Sequence, residues 1–497
     1  MIEVNFQPID MSSNPNKALV LKGEANNKLA SKQLNARFDV AQTTRDNART
    51  WSMTDMLSPD AAYSKHVRKI IRERARSEIE NNSYARGIVE TFVYDIIGPG
   101  PKINIYTGNS AIDDKIEKSW VKWCKATDFA RKLRTLKYSR VVDGEGLAIL
   151  SQNVMLRHPV KLDLNLIECD RLTDPSPQID LKDHSDGIIF DDYGNPIRYK
   201  ILKDHPGDML HASWEYDEIS ERYVIHDYKH IRAEQHRGVS EISSSLQLFN
   251  DLRRYTAAVI AAAETAADYA AVIQSASNGE EEDDIADPEE WDLVQLEKRM
   301  ATVLPKGWSI GQIKSEQPTN TYAAFKREII AEIARCLGMP YNVAACDSSN
   351  HNFASAKLDH RSYERVLKVE QKETERDLDK IFQMFLIELA SVDDEVFDFI
   401  TDNEIEYDFM WEGQAQVDPR DVNSDVAKMQ AGMDNLVDYY ARRNLDWEHQ
   451  LEKSKRVQDK MRDMGLISLK QDEVPVEVPV EDVDEDIDDE TEENETN

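Results

Sequence analysis

Cysteine is scarce: the 497 residues hold only Cys124, Cys169, Cys336 and Cys346, with no C-x-x-C pair among them. That excludes a disulfide scaffold and argues against structural zinc, leaving buried free thiols as the expectation. Long apolar runs are also missing. The longest, Ala257 to Ala263, ends at Glu264, far short of the roughly 20 residues that span a bilayer. The N-terminus, Met1-Ile-Glu-Val-Asn-Phe, lacks a basic stretch followed by an apolar one, so no export signal is expected. Positive charge is in deficit: 61 Lys plus Arg stand against 94 Asp plus Glu, a net charge of −33. Such a chain repels nucleic acid over much of its surface and is no general phosphate binder. Hydrophobic residues still make up 40%, enough for a sizeable core. The reading is a soluble protein of a reducing cytoplasm, with about three domains.

Along the chain, residues 1–45 are polar and read as an arm. Trp51 to Gly98 is helical in pattern, with Ser58-Pro59-Asp60 as a start signal. Helices are predicted through Ile112–Trp123 and Phe129–Val142, followed by the turn Asp143-Gly-Glu-Gly146 and a strand at Leu147–Leu150. Residues 160–236 change character. Leu162, Leu164 and Leu166 alternate with polar residues, and Asp191-Asp-Tyr-Gly-Asn-Pro196 is a turn between apolar stretches, so a β-rich module is expected. A helix then runs from about Ser240, and Ala257–Ala271 holds nine Ala in 15 residues, a thin helix that neighbours can approach closely. Glu280–Glu290 carries eight carboxylates in eleven residues and reads as a solvated loop. Helix returns at Thr321–Leu337 and stops at Gly338-Met-Pro340. The polar loop Tyr341–Ala354 precedes the longest helical pattern, about Ser355 to Ala390. Two further helices follow. Residues 471–497 hold 14 Asp plus Glu and no Lys or Arg, which predicts a disordered acidic tail. The fold class is α+β, mainly helical.

No catalytic constellation emerges. There is no G-x-x-x-x-G-K-[ST], hence no phosphate cradle of that type. Gly144-Glu-Gly146 reads as a turn. His226, His230 and Glu234 are spaced four apart and would chelate a metal only on a helix, whereas their surroundings read as strand and loop. Asp347, Ser348, Ser349 and His351 include triad residue types but show no convergence. Lys65, Arg68, Lys69, Arg72, Arg74 and Arg76 form the strongest basic cluster. They read as a solvated helix face paired with Glu73 and Glu78, with nucleic-acid contact as the minority reading. The residues alone favour a structural or assembly role. An adaptor in some other assembly, or a metal-dependent hydrolase around His226 and His230, stays open as an alternative.

The order of motifs resembles the lambda-type portal proteins of tailed bacteriophages. The matching stretches are Arg72-Glu-Arg-Ala-Arg76 with Asn81-Asn82, Ile97-Gly-Pro-Gly100, Asp143-Gly-Glu-Gly146, Gly187–Pro196 and Gln235-His-Arg-Gly-Val-Ser240. They continue in Leu304-Pro-Lys-Gly307, Leu337-Gly-Met-Pro-Tyr341, Asp347-Ser-Ser with Asn352–Ala356, and Val417-Asp-Pro419, collinear over about residues 50–466. The Glu280–Glu290 insert and the acidic tail depart from the pattern. Lys357 stands where the family usually carries Arg, which keeps the charge but loses the bidentate fork.

The resemblance implies a homo-oligomeric ring, dodecameric in assembled heads, at one capsid vertex of the virion. Double-stranded DNA passes through its channel, driven by a separate terminase, and head-completion or tail-connector proteins dock on it. It implies contacts with major capsid and scaffold proteins, assembly in the host cytoplasm, no membrane, no cofactor, no metal and no enzymatic activity. Family architecture has wing, stem, clip and crown regions. On that basis residues 46–159 are expected to be wing, 160–236 clip, 237–278 a stem helix and 279–338 wing again with the 280–290 loop. Residues 339–392 would hold a channel-bordering loop and the long helix, and 393–470 the crown helices. The expected channel lining is Asn342, Ser348, Ser349, Asn350, His351, Asn352 and Lys357. The expected ring-packing residues are Ala258, Ala262, Ala266 and Ala270.

Overall fold

The computed structural model describes residues 56–175, 184–208, 213–268, 272–275, 308–311, 321–349, 353–402, 405–411, 419–441 and 447–465. The expected N-terminal arm, the acidic loop 280–290 and the acidic tail lie outside them. The chain divides into two units, residues 1–413 and 414–497.

In the first unit the helical stretch from residue 56 breaks into α1 (Pro59–Ala62), α2 (Lys65–Asn81) and α3 (Ser83–Ile97). Asn82 makes the break. It is extended (φ −129°, ψ 113°), and its side-chain oxygen accepts from the backbone N–H groups of Tyr84 and Ala85, capping α3. Strand β1 (Lys102–Tyr106) follows, then α4 (Ser110–Thr127), α5 (Phe129–Asp143), β2 (Glu145–Gln152) and β3 (Leu162–Ile167). Next come β4 (His184–Ser185), β5 (Ile188–Phe190), β6 (Pro196–Leu202), β7 (Tyr216–Ser220) and β8 (Val224–Tyr228). The remaining elements are α6 (Leu246–Asp268), β9 (Val272–Ser275), β10 (Trp308–Gly311), α7 (Thr321–Ala334), α8 (Tyr341–Ala344), α9 (Phe353–Val392), α10 (Asp394–Asp402) and β11 (Glu406–Met410).

The strands of 160–236 do not form a self-contained module. Strand β2, which precedes residue 160, is the middle of the antiparallel sheet β3-β2-β8, and β4-β5-β6-β7 form a second antiparallel sheet. Strand β1 pairs antiparallel with β11, joining positions three hundred residues apart, from Lys102 opposite Met410 to Tyr106 opposite Glu406. This ties α10 and β11 to the first unit, ahead of the boundary at residue 413.

Helix α9 is the spine. Its 40 residues span about 60 Å. Leu378, Ile381, Phe382, Phe385 and Leu389 are buried, as their spacing requires. Phe382 and Phe385 meet Trp120 edge-on at centroid distances of 5.2 and 5.1 Å, and Trp120 stacks on Trp123 at 4.9 Å. The Trp123 indole N–H donates to the Leu162 carbonyl (2.8 Å), fastening α4 to β3.

The second unit contains α11 (Pro419–Gln430), α12 (Leu436–Ala441) and α13 (Trp447–Asp463). No helix among the described residues is long and apolar enough to cross a membrane.

Candidate functional site

The polar segment before α9 is more ordered than a plain loop. Pro340 begins the helical turn α8, and Tyr341 stacks under the Arg327 guanidinium (4.9 Å to the ring centre). Asn342 is buried, and its amide nitrogen lies 3.2 Å from His360 Nε2 on α9. Its side chain is thus enclosed within the protomer, between α8 and α9. Ser348 and Ser349 are exposed. Ser349 donates to Asp347 Oδ1 through both Oγ (2.6 Å) and its backbone N–H (3.0 Å), and the Tyr341 hydroxyl donates to Oδ2 (3.4 Å). These bonds, Ser349 foremost, hold the Asp347 carboxyl below the usual carboxylate range. Asn350, His351 and Asn352 lie outside the described residues. Lys357 sits half-buried in the first turns of α9.

The Ala-rich helix α6 packs beside α7: Tyr255 stacks on Tyr322 (5.7 Å) and meets Phe325 edge-on (5.0 Å). Ala258 is exposed and Ala262 half-buried. Ala266 is within α6, and Ala270 lies outside the described residues.

The basic cluster on α2 is a solvated face only in part: Lys65, Lys69 and Arg74 are exposed, whereas Arg68, Arg72 and Arg76 turn inward. Arg68 and Arg72 are buried, and the cluster reaches far along the chain for its partners. Arg68 pairs with Asp186. Arg72 donates to Asp170 (2.6 Å) and lies 3.6 Å from Glu145; Arg76 forks onto Asp143 (2.7 and 3.0 Å) and reaches Asp170 (3.0 Å). Of the predicted local pairs, Lys69–Glu73 forms at 3.8 Å, whereas Glu78 meets Arg253 of α6 (3.2 Å). Alternating charges along α2 signalled pairing, but not that its partners lie beyond residue 140.

At the centre is Glu145, fully buried at the start of β2. Arg237 grips it with Nε to Oε1 (2.6 Å) and Nη2 to Oε2 (2.7 Å), and the Gly238 N–H adds a third bond (2.8 Å). Burial alone would raise this carboxyl; the Arg237 charge and its hydrogen bonds hold it well below the usual carboxylate range. Gly238 must be glycine, since a Cβ there would lie 2.0 Å from the Gly144 carbonyl oxygen.

A second cluster joins α5 to α9. Lys137 meets Glu370 (2.8 Å). Arg140 meets Asp227 (3.3 Å), Glu241 (3.2 Å), Glu370 (3.1 Å) and Glu373 (3.0 Å), and Lys229 bridges Glu241 and Glu370 at 2.9 Å each. Burial opposes ionisation of Glu370, but Lys137, Arg140 and Lys229 hold its carboxyl down at about 2. Asp377, two turns along α9, has the opposite fate: burial and the neighbouring Asp227 charge push it up to about 7.

The metal reading of His226, His230 and Glu234 needs a helix and finds none. His226 is in strand β8 with Nε2 3.4 Å from Glu145 Oε1, and burial favours its neutral form. Glu234 has φ +61°, in a turn. One cluster of metal-ligand types exists among the described residues, Glu168, Asp170 and His205. Arg72 and Arg76 already lie against its carboxylates, so cationic charge is supplied there by the protein. What the charge clusters do is mechanical: they lock α2, α5, the sheet and α9 together.

The family model described as phage portal protein, lambda family, matches residues 44–371. A curated relative, the probable portal protein of Halomonas phage phiHAP-1, is 24% identical over 366 residues, covering 67% of this chain and 69% of its own. Among solved structures, a chain of the virion of a native gene transfer agent particle aligns with a TM-score of 0.40 at 12% identity, covering 72% of this chain and 88% of its own. A chain from the neck of the empty particle, computed with C6 symmetry, aligns with a TM-score of 0.42 at 13% identity, over 75% and 93%.

Proposed function

The chain belongs to the lambda family of phage portal proteins, the connectors between phage head and tail, and from that premise we propose that its copies close into a ring, a dodecamer in the assembled head, through which double-stranded DNA enters and leaves. The match over residues 44–371 carries the reading. The ring sits at one vertex of the virion and is assembled in the host cytoplasm with capsid and scaffold proteins. It receives a terminase and, later, head-completion or tail-connector proteins. The family is a structural one, and in this reading the chain does no hydrolysis of its own: the packaging motor belongs to the terminase. A surface with net charge −33 disfavours adsorption of phosphates, which suits a passage through which DNA slides.

Helix α6 serves as a stem helix, with α7 beside it. The ladder of β9 and β10 joins their consecutive ends, from Val272 opposite Gly311 to Ser275 opposite Trp308. A clip projecting from the stem fits that ladder better than residues 160–236, where one of the two sheets takes its middle strand β2 from the body and where Asp170 and Asp186 are tied to α2 by Arg72 and Arg68. Residues 46–159 and α9 form the wing, the segment around Ser348 and Ser349 borders the channel, and the crown begins after residue 413. Electron microscopy of the purified chain tests the whole. Rings with a central hole support it; solid particles or monomers under assembly conditions overturn it.

A further inference from the structure

The first half of α9 carries a feature that an acidic chain has no general reason to build. Arg361, Arg365, Lys368, Lys372 and Arg376 are all exposed. At 100° per residue they fall within about 80° of the helix circumference, and they extend over about 22 Å. The opposite face of the same turns, Tyr363, Glu370, Gln371, Thr374 and Asp377, is buried. Lys372 has a near partner in Glu375 (2.7 Å) and Arg376 a distant one in Asp377 (3.9 Å). Among the described residues, Arg365 and Lys368, at the middle of the stripe, make no ion pair. Leu358 and Val369 border the stripe on one side, 66% and 59% exposed.

We infer that this basic face of α9 seats against the acidic surface of a second copy of the chain and is one half of the contact that closes the ring. The inference rests on the ring reading above. Three observations select this occupant. In a chain with a net charge of −33, each copy offers abundant carboxylates, and a row of cations on one protomer offsets the repulsion that would otherwise oppose assembly. The flanking Leu358 and Val369 are chemistry a protein surface uses and a phosphate backbone does not. A two-fold dimer uses one self-complementary patch and closes at two copies. A head-to-tail contact pairs it with a different, acidic patch, and repeated head-to-tail contacts are what generate a ring.

The test uses the full chain with Arg365→Glu and Lys368→Glu combined, followed by native mass spectrometry and mass photometry. The double variant should keep the parental circular dichroism and melting behaviour as a protomer, since both side chains are exposed. Its protomer–protomer association should weaken about tenfold or more. The charge-conserving pair Arg365→Lys and Lys368→Arg should still close rings, and raising salt from about 0.1 M to about 1 M should weaken parental closure. Rings at parental yield from the reversed variant overturn the inference. So does a reversed variant that closes rings normally but packages less DNA, which would make the stripe a phosphate contact. A parental chain that closes no ring under any condition overturns this inference and the ring reading beneath it; parental rings with an indifferent variant overturn this one alone.

Discussion

Arg237 and Glu145 stand 92 residues apart in sequence and meet as a two-pronged pair, 2.6 and 2.7 Å, with both side chains almost wholly excluded from water. Removing one partner strands the other charge in a low-dielectric interior. Glu145→Ala leaves Arg237 with Asp186 (3.1 Å) as its remaining carboxylate and removes the two-pronged grip, and should cost about 3 kcal/mol in urea unfolding. Because the Glu145 carboxyl is depressed in the fold, the stability it contributes is present above the ordinary carboxylate pKa and is lost as pH falls through its folded value. A Glu145→Ala protein as stable as the parent would show that the pair is a spectator.

Glu370 and Asp377, on one helix, should pull stability in opposite directions with pH. Glu370, held at about 2, contributes stability above about 4.5 that is lost as pH falls toward 2. Asp377, raised to about 7, binds its proton more tightly folded than unfolded. Its contribution is therefore complete near pH 4 and is lost as pH rises toward 7. Its Oδ2 is buried without a hydrogen-bond partner. Asp377→Asn should raise stability at pH 8 by about 1–3 kcal/mol and change little at pH 4.5. Melting curves at the two pH values decide; equal effects at both would mean that Asp377 is ionised throughout.

Much of the frame was legible because it follows from periodicity. The apolar stripe Leu378, Ile381, Phe382, Phe385 and Leu389 announces a helix buried on one side, and α9 is that helix. Proline at 59 and the stop at 338–340 mark real ends. Strand β1 was not legible: five residues pair with β11 across three hundred positions, and no local pattern reports a partner so distant. The arginines of α2 were misread for the same reason. Alternating charges look solvated when the only candidate partners are local, and Asp143, Glu145, Asp170 and Asp186 become partners only after the sheet folds against the helix. Asn342 illustrates a third limit, since a polar residue in a polar stretch carries no sign that one helical turn will bury it.

Two glycines should respond in opposite ways to the same substitution. At Gly238 an added methyl collides with the Gly144 carbonyl and displaces the backbone that delivers the Gly238 N–H to Glu145. Gly238→Ala should destabilise by several kcal/mol, roughly 3 or more. Gly87 is exposed in the middle of α3 with nothing within 4 Å of an added Cβ. Gly87→Ala should stabilise by about 0.5–1 kcal/mol. Urea midpoints for both variants, read against the parent, check the contrast.

The Ala-rich helix allows a test of ring packing separate from the basic stripe. Ala258 is exposed in the single protomer, so Ala258→Leu should fold normally. If α6 meets a neighbour there, overpacking should cost about 1–3 kcal/mol at each contact and lower the fraction of closed rings. Unchanged ring yield would place Ala258 in solvent in the ring as well.

The channel reading turns on the stretch from Cys346 to Ser349, and its thiol provides a direct probe. Burial pushes the thiols of Cys124, Cys169 and Cys336 up, Cys169 being wholly enclosed, whereas Cys346 is exposed. The thiolate is the reacting form, so a maleimide at neutral pH should modify Cys346 first, one adduct per chain, and a Cys346→Ser protein should lose that fast reaction. If Ser348 and Ser349 line the passage, a bulky adduct on Cys346 in preassembled rings narrows it, and packaging should stall. Ser348→Arg with Ser349→Arg should slow packaging differently, by adding phosphate contacts whose drag weakens as salt is raised. The Cys346→Ser ring treated with the same reagent separates blockage from general damage and should package at the parental rate. Labelled rings that fill heads to full genome length at that rate would remove this segment from the channel, whatever the fate of the ring itself.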